Sequence, residues 1–359
     1  MKERTLLHEQ TDAAGAVYVE EAGFLVAARF GEVEAEYRAA RAGIVIVDQS
    51  SRGKIEVRGK DAARFLHNLT TNDIVGLKPG GGCEAFLTTN KAKVVAYVSI
   101  YRHLSPVDPA GFSLDVAPGA DERVVQYLDR FLICEEVEFV NYTKDFAQIH
   151  LAGPQAAESL RRLFGDVDIP AELLQHATPA AETWLRRHDM LGVPGYDLVC
   201  PANRAATVWH RLTDAGARPI GLEACEILRV EAGLPREGAD IDENTFAPEV
   251  GRIAQTICYT KGCYLGQESI VMARDRGQVN RMLVGVKLPQ GTVPRGSLLF
   301  AQDKEVGRLT SCIHSPRLDM GLALAYVRRG HQKAGTQLQV ETDGRRSPAE
   351  IVGLPLDSL

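Results

Sequence analysis

Ile55-Glu56-Val57-Arg58-Gly59-Lys60-Asp61-Ala62-Ala63-Arg64-Phe65-Leu66-His67-Asn68-Leu69 changes its period midway. Ile55 and Val57 alternate with charged residues, as on a half-buried strand. After Gly59, Ala62, Ala63, Leu66 and Leu69 follow helical spacing. The stretch from Ile149 to Leu163 makes the same change around Gly153. Ile55/Ile149, Val57/Leu151, Gly59/Gly153, Ala62/Ala156, Ala63/Ala157, Leu66/Leu160 and Leu69/Leu163 match at one offset. Pro154 suits the first turn of the second helix. A further strand-helix unit follows each copy. Phe112, Leu114 and Val116 alternate ahead of Pro118-Gly119 and a helical run; Tyr196, Leu198 and Cys200 alternate ahead of Pro201 and another. The spacing predicts an α+β domain over 1–278 built from two pseudo-repeats, about 1–140 and 141–278.

From about Met282 the character changes. Leu283 to Leu288, Ser297 to Phe300, Val306 to Ser311, Met320 to Val327 and Leu338 to Glu341 read as short strands between Gly and Pro turns. A C-terminal antiparallel β-barrel domain over 279–359 is expected.

Composition narrows the function. The 359 residues are 45% hydrophobic and 25% charged, an ordinary globular balance. A net charge of -6 and a pI near 5.9 argue against a nucleic-acid partner. No long apolar run predicts a membrane span, and Met1 to Gln10 lacks a signal-peptide core. Seven cysteines without disulfide-scaffold spacing fit a reducing, cytoplasmic setting. Cys258 and Cys263 are the closest pair, but no neighbouring histidine completes a metal set, so no metal is expected.

Lys261-Gly262-Cys263-Tyr264-Leu265-Gly266-Gln267-Glu268 is the chemically pointed stretch. It sets a cysteine two residues after a lysine and just before a helix-like run. Both a cation and a helix N-terminus favour thiolate, the form that reacts. An ordinary thiol of pKa roughly 8.5 is only a few per cent ionised at pH 7. The plain alternatives are a small buried hydrophobe at Cys263 and a solvated cation at Lys261. Gln267 and Glu268 either fix the loop or simply open a helix. Cys83, Cys134, Cys200, Cys225 and Cys312 lie in apolar or strand-like contexts and read as structural.

Further motifs, in order along nearly the whole chain, carry a resemblance. They are Tyr37 to Ile44 with Asp48-Gln49-Ser50, Leu69-Thr70-Thr71-Asn72-Asp73, Leu228 to Gly233 with Gly238-Ala239-Asp240, and Gly307 to Ser311 with Ser315-Pro316. Together they resemble the folate-binding superfamily of the glycine-cleavage T protein (aminomethyltransferase) and the YgfZ proteins. Aminomethyltransferases carry an Asp-Asp pair in the strand that here reads Lys93-Val94-Val95-Ala96-Tyr97-Val98, so the pair becomes Ala96-Tyr97. Where they have Lys-Gly-Asp, this chain has Lys261-Gly262-Cys263, which is similar to the YgfZ signature. Their Gly-Glu-Asp-Gly-Tyr-Glu corresponds to Gly192-Val193-Pro194-Gly195-Tyr196-Asp197.

The resemblance implies a T-protein-like fold, tetrahydrofolate or a derivative as cofactor, and iron-sulfur client or assembly proteins as partners. Cys263 with Lys261 is then the working pair, supported by Gly262, Tyr264, Gly266, Gln267 and Glu268. Glu231 is the candidate for the pterin edge and Arg229 for its orientation or the folate tail; the alternative for both is a helix salt bridge. Asn72 and Asp73 either line the pocket or cap a turn. Tyr196 either stacks on a ring or packs in the core. The expected function is YgfZ-like support of iron-sulfur enzymes, including tRNA-modifying ones. The alternatives are a folate-dependent aminomethyltransferase and a non-catalytic folate-sensing or docking module.

Overall fold

The computed structural model describes residues 2–104, 111–165, 167–277 and 279–356. The chain forms two compact units. One comprises 1–87, 96–225 and 255–264; the other comprises 88–95, 226–254 and 265–359. The segments 88–95 and 226–254 thus group with the barrel, whereas the sequence reading placed a single boundary at 278/279. Gln278 itself lies outside the described residues, as do Met1 and residues 357–359.

The two repeats are plain in the first unit. Strand Gly53–Arg58 turns at Gly59 into helix Ala62–Leu69, and strand Phe146–Ala152 turns at Gly153 into helix Ala156–Phe164. Each strand pairs antiparallel with the strand of its own second unit: Ile55 faces Leu114, and Ile149 faces Leu198. The five-stranded sheet runs Gly82–Thr88, Val94–Arg102, Phe112–Val116, Gly53–Arg58, Glu138–Asn141. The six-stranded sheet runs His176–Ala180, Thr183–Arg187, Gly195–Pro201, Phe146–Ala152, Val45–Asp48, Arg218–Pro219.

The halves exchange a strand. Val45–Asp48 precedes the first repeat yet pairs with Phe146–Ala152 of the second, with Ile149 opposite Asp48. Glu138–Asn141 precedes the second repeat yet pairs with Gly53–Arg58 of the first, with Ile55 opposite Asn141. The six-stranded sheet is incomplete without Val45–Asp48 of the first half, so the repeats fold as one body. Ile46, Ile149, Leu151, Leu198, Cys200 and Trp209 share a buried core that includes both contributions.

In the second unit six strands close a barrel: Arg281–Leu288, Met320–Arg328, Lys304–Ser315, Leu298–Ala301, Gln337–Thr342 and Arg345–Val352, in that spatial order. Closure pairs Gly285 with Val352 and leaves no exposed edge. Val286, Leu299, Val306, Val327 and Ile351 fill the interior. The outward positions Leu283, Leu322, Leu324 and Tyr326 form a second core with Val230. This explains why residues from Glu226 onward in helix Leu222–Glu231 group with the barrel.

The repeat turns test the duplication. Gly59 and Gly153 have φ of +111° and +117°, and a Cβ there would lie 2.0 Å from Glu136 O and 2.3 Å from Gly43 O. Gly59→Ala and Gly153→Ala should each lower unfolding free energy by more than about 2 kcal/mol, from backbone strain plus collision. Urea denaturation of the two variants checks this, and a near-neutral result for either would deny it the turn role.

Candidate functional site

The interior of the first unit is charged where strand periodicity promised apolar packing. Asp115, on the Phe112–Val116 strand, accepts from Arg52 Nε at 2.6 Å and Gln148 Nε2 at 2.8 Å. Arg186 Nη1 lies 3.7 Å away from the same carboxylate. Its guanidinium stacks over the Tyr101 ring at 4.4 Å. Beside this group, Asp197 accepts from both His150 Nδ1 and His188 Nδ1, at 2.8 and 2.7 Å. Asp115, Gln148, His150, Arg186 and Asp197 are all at most 3% exposed.

Two electrostatic consequences follow. Burial raises the cost of ionising Asp197, but the two imidazoles outweigh it and hold the carboxyl well below its usual range. Burial also opposes protonation of His188, yet Asp197 wins and raises it. Lys54, its ammonium held by Ser50 O and Arg52 O, is pushed down to about 8 by burial, against the pull of Asp115. At neutral pH, Arg52, Arg186 and Lys54 have Asp115, Asp197 and Asp48 as neighbouring carboxylates. An apolar medium penalises such charges unless something polar meets them.

Polar atoms are also left over. Tyr101 Oη, Gln148 Oε1, His150 Nε2 and Arg186 Nε and Nη1 are buried without a hydrogen-bond partner. His150 Nε2 is walled by Gly195, where an added Cβ would lie 2.9 Å from it. The other four present three donors and an acceptor from one cluster, a set that a ligand or water with matching edges would satisfy. The sequence reading did not single out Arg52, Tyr101, Asp115, Gln148 or His150. Their signal was polar residues at inward strand positions, as in Gln148-Ile149-His150.

The Lys261 loop is built differently from the expectation. Lys261 Nζ donates to the carbonyls of His67, Thr70 and Asn72, at the end of helix Ala62–Leu69 and just beyond it. A cation there meets carbonyls left open by the helix. Burial pushes the ammonium down to about 8, with Asp73 and the thiols Cys258 and Cys83 opposing that push. Its charge also lies 4.8 Å over the buried Tyr264 ring. Lys261 thus anchors the loop to the first repeat.

Cys263 is exposed, and Gly262 has open space around it except for His67 Nε2 at 4.0 Å. The thiol held below its ordinary range is Cys258. Burial opposes its ionisation, but the Thr260 hydroxyl 3.5 Å from Sγ and the N–H groups of Thr260 and Lys261 outweigh that. Burial pushes Cys83 up to about 12 and Cys200 up to about 11. Cys134, read from sequence as structural, is instead exposed, because its segment follows helix Asp121–Asp129 without entering a strand.

The remaining candidates are engaged in the framework. Asn72 Nδ2 donates to Glu84 O and Gln255 O, both at 2.8 Å, and Asp73 accepts from Gly76 N at 3.0 Å and sits 3.2 Å from His67 Nδ1. Tyr196 is 5% exposed in the core with Arg187 stacked 4.9 Å above it. In the second unit, Gly266 has φ of +87°, and a Cβ there would lie 2.7 Å from Thr89 O, so only glycine fits. Gln267 and the exposed Glu268 open helix Gln267–Arg276, where an acid is favourable. Arg229 donates to Asp240 and Ser311, both at 2.6 Å, and pairs with Glu226. Glu231, 1% exposed, accepts from Ser315. Among the described residues no cluster of His, Cys, Asp or Glu is placed to hold a metal ion, and no helix is long and apolar enough to cross a membrane.

Two measurements probe this arrangement. Asp197→Asn leaves two buried histidines facing a neutral amide and should cost about 3–5 kcal/mol of stability. Asp197, with its depressed value, stabilises the fold above its unfolded pKa of about 4; His188, with its raised value, adds stability below about 6.5 that is lost as pH rises through the raised value. The Asn penalty should therefore be smaller at pH 9 than at pH 6; a flat penalty would mean His188 is not charged. Separately, Thr260→Ala removes a bond that favours the Cys258 thiolate, and iodoacetamide labelling of Cys258 at pH 7 should slow roughly threefold. Site-resolved mass spectrometry reads this, with the exposed Cys134 as an internal control whose rate should not change.

Comparison with known proteins agrees with the geometry. A model of the GCVT N-terminal domain matches residues 7–254, and one of the glycine cleavage T-protein C-terminal barrel domain matches residues 281–357. The chain is 32% identical over 361 residues to a protein named aminomethyltransferase from Thermus thermophilus, covering 98% of each. It is 29% identical to one of the same name from Geobacillus kaustophilus, covering 99% of this chain and 98% of the relative. The glycine cleavage system aminomethyltransferase T from Bartonella henselae superposes with a TM-score of 0.92 at 22% identity, over 99% of this chain and 98% of that one. A duplicated α+β body, a closed six-stranded barrel and matches to both domains place this chain in the glycine-cleavage T-protein family.

Proposed function

We propose that this protein binds tetrahydrofolate or a close derivative. The observation that supports this most is the charged interior of the first unit, with its unpaired Tyr101 Oη, Gln148 Oε1 and Arg186 Nε. A pterin carries amide-like donors and acceptors along one edge, and these side chains fit such an edge. Tetrahydrofolate, when bound, would supply the amine that accepts a one-carbon unit. Tyr101, Gln148 and Arg186 would hold and orient it, and the dry surroundings of Asp115 and Asp197 would strengthen each contact.

Relatives named aminomethyltransferase over their full length support aminomethyl transfer as the chemistry. A specific observation favours a second reading, the YgfZ-like support of iron-sulfur enzymes by a loop thiol. At the position of the transferase Asp pair, Ala96 is fully buried and Tyr97 stacks on Phe86 at 5.1 Å. Ala96 has no group that can take a proton and Tyr97 offers a phenol in place of a carboxylate, whereas a positioned acid or base contributes about 10²–10⁴-fold. Cys263, exposed on the Lys261 loop, remains the thiol of that second reading.

Calorimetric titration should show tetrahydrofolate binding by the wild type and its weakening by roughly tenfold or more in Gln148→Ala, the loss of one buried hydrogen-bonding group. Absence of binding would overturn the proposal. Ammonia release from an aminomethylated carrier protein should be about 10²–10⁴-fold slower than with a relative bearing the Asp pair. A rate comparable to that relative would establish transfer, whereas a slow rate with failure of Cys263→Ala to restore an iron-sulfur enzyme in cells would favour the thiol reading.

A further inference from the structure

The second unit contains a cavity of about 650 Å³ that the reading above does not use. Its floor is the outer face of the barrel and its wall is the segment from Ala239 to Thr245. The volume lies in the usual range for small-molecule sites.

Strand register explains why cations gather there. On Met320–Arg328, Tyr326 and Arg328 point to the same face; Arg308 lies directly opposite Tyr326, and Arg281 directly opposite Arg328. Three arginines on three neighbouring strands thus share one face of the barrel. Like charges placed directly opposite across an antiparallel pair are destabilising. Arg281 is relieved by Glu249, 2.9 Å from its Nε, and by the Tyr326 ring 4.7 Å below it. Arg308 and Arg328 have no ion pair or side-chain hydrogen bond among the described residues. Arg295 adds a fourth guanidinium at the rim, donating to the carbonyls of Gly238 and Ala239.

The cavity also presents the Tyr326 hydroxyl. Tyr326 is 6% exposed, and the Thr245 hydroxyl beside it donates to Asp242 Oδ1 at 2.9 Å. Asp240, the most buried acid of the lining, is already saturated by Arg229, Thr310 and Ser311 and has nothing left for the arginines. Two exposed acids, Asp242 and Glu305, complete the lining. They would repel a bare anion at that end and attract hydroxyl or amino donors.

We infer that this cavity binds a phosphorylated small molecule of nucleotide type. Arg308, Arg328 and the Tyr326 hydroxyl take its phosphate groups, and Glu305 and Asp242 take the donors of its far end. Guanidinium forks match phosphate oxygens in pairs, and the surface position of two of them leaves the phosphate free to enter.

The full-length protein should be titrated with ADP and with pyrophosphate in low-salt buffer. The wild type should bind both at sub-millimolar concentration. The double variant Arg308→Ala/Arg328→Ala should weaken both at least tenfold, while its tetrahydrofolate titration stays unchanged. Tyr326→Phe should weaken both by a few fold. Glu305→Ala should weaken ADP alone, because pyrophosphate has no donor end. Failure of the wild type to bind ADP would overturn the inference, as would equal binding by the double variant. Simultaneous loss of tetrahydrofolate binding in that variant would overturn it too, by assigning the arginines to the folate's anionic tail.

Discussion

Asp115 and Asp197 constrain the first unit more than any other groups. Each is essentially inaccessible, and each is met by two cationic or cationisable side chains from different strands. Asp197 draws His150 from the second repeat's first strand and His188 from just beyond the Thr183–Arg187 hairpin strand. Asp115 draws Arg52 from the first repeat, and Gln148 and Arg186 from the second. Asp115 therefore ties together repeats that a simple apolar core would leave free to slip, and Asp197 registers strands within the second. A one-residue slip of either strand would bury an arginine against leucine and leave a carboxylate bare, at a cost of several kcal/mol. Strand exchange reinforces the same registration through the backbone.

The duplicated strand-turn-helix units and the closing barrel were legible because they depend on local rules. Period-2 runs, glycines that must take positive φ, and proline turns write themselves into neighbouring residues, and Gly59 and Gly153 are the clearest instances. The charged interior was not legible because its partners are far apart in sequence: Arg52 meets Asp115 across 63 positions, and Gln148 meets the same group across 33. Polar residues on strands read equally well as solvent-facing until the second sheet covers them. The exchange of Val45–Asp48 and Glu138–Asn141 was hidden for the same reason, since nothing in either strand names its distant partner.

The Lys261 motif shows how adjacency in sequence misleads about chemistry. Lysine two residues before cysteine suggested a cation acting on a thiol. In space the ammonium is consumed by three carbonyls, because the end of helix Ala62–Leu69 offers acceptors that only a long cationic side chain can reach. The motif's glycine at 266 is fixed by backbone packing against Thr88 and Thr89, and its acid at 268 by the start of a helix. What remains uncommitted is Cys263. A loop so firmly anchored on both sides, carrying one exposed thiol, is preorganised to present that thiol with little loss of entropy.

Where the resemblance implies a carboxylate pair, the strand carries Ala96 and Tyr97. An unpaired carboxylate at a fully buried strand position is held there only at the expense of desolvation, which function must justify. Alanine removes that cost, and the Tyr97–Phe86 contact adds about 0.5–1.5 kcal/mol of aromatic packing. A chain that had no further need of proton transfer at this position would gain stability by this replacement. A chain that still needed it would lose about 3–5 kcal/mol of barrier lowering, the equivalent of a 10²–10⁴-fold rate. The Ala96-Tyr97 strand is therefore the feature on which the two chemical readings of this fold divide.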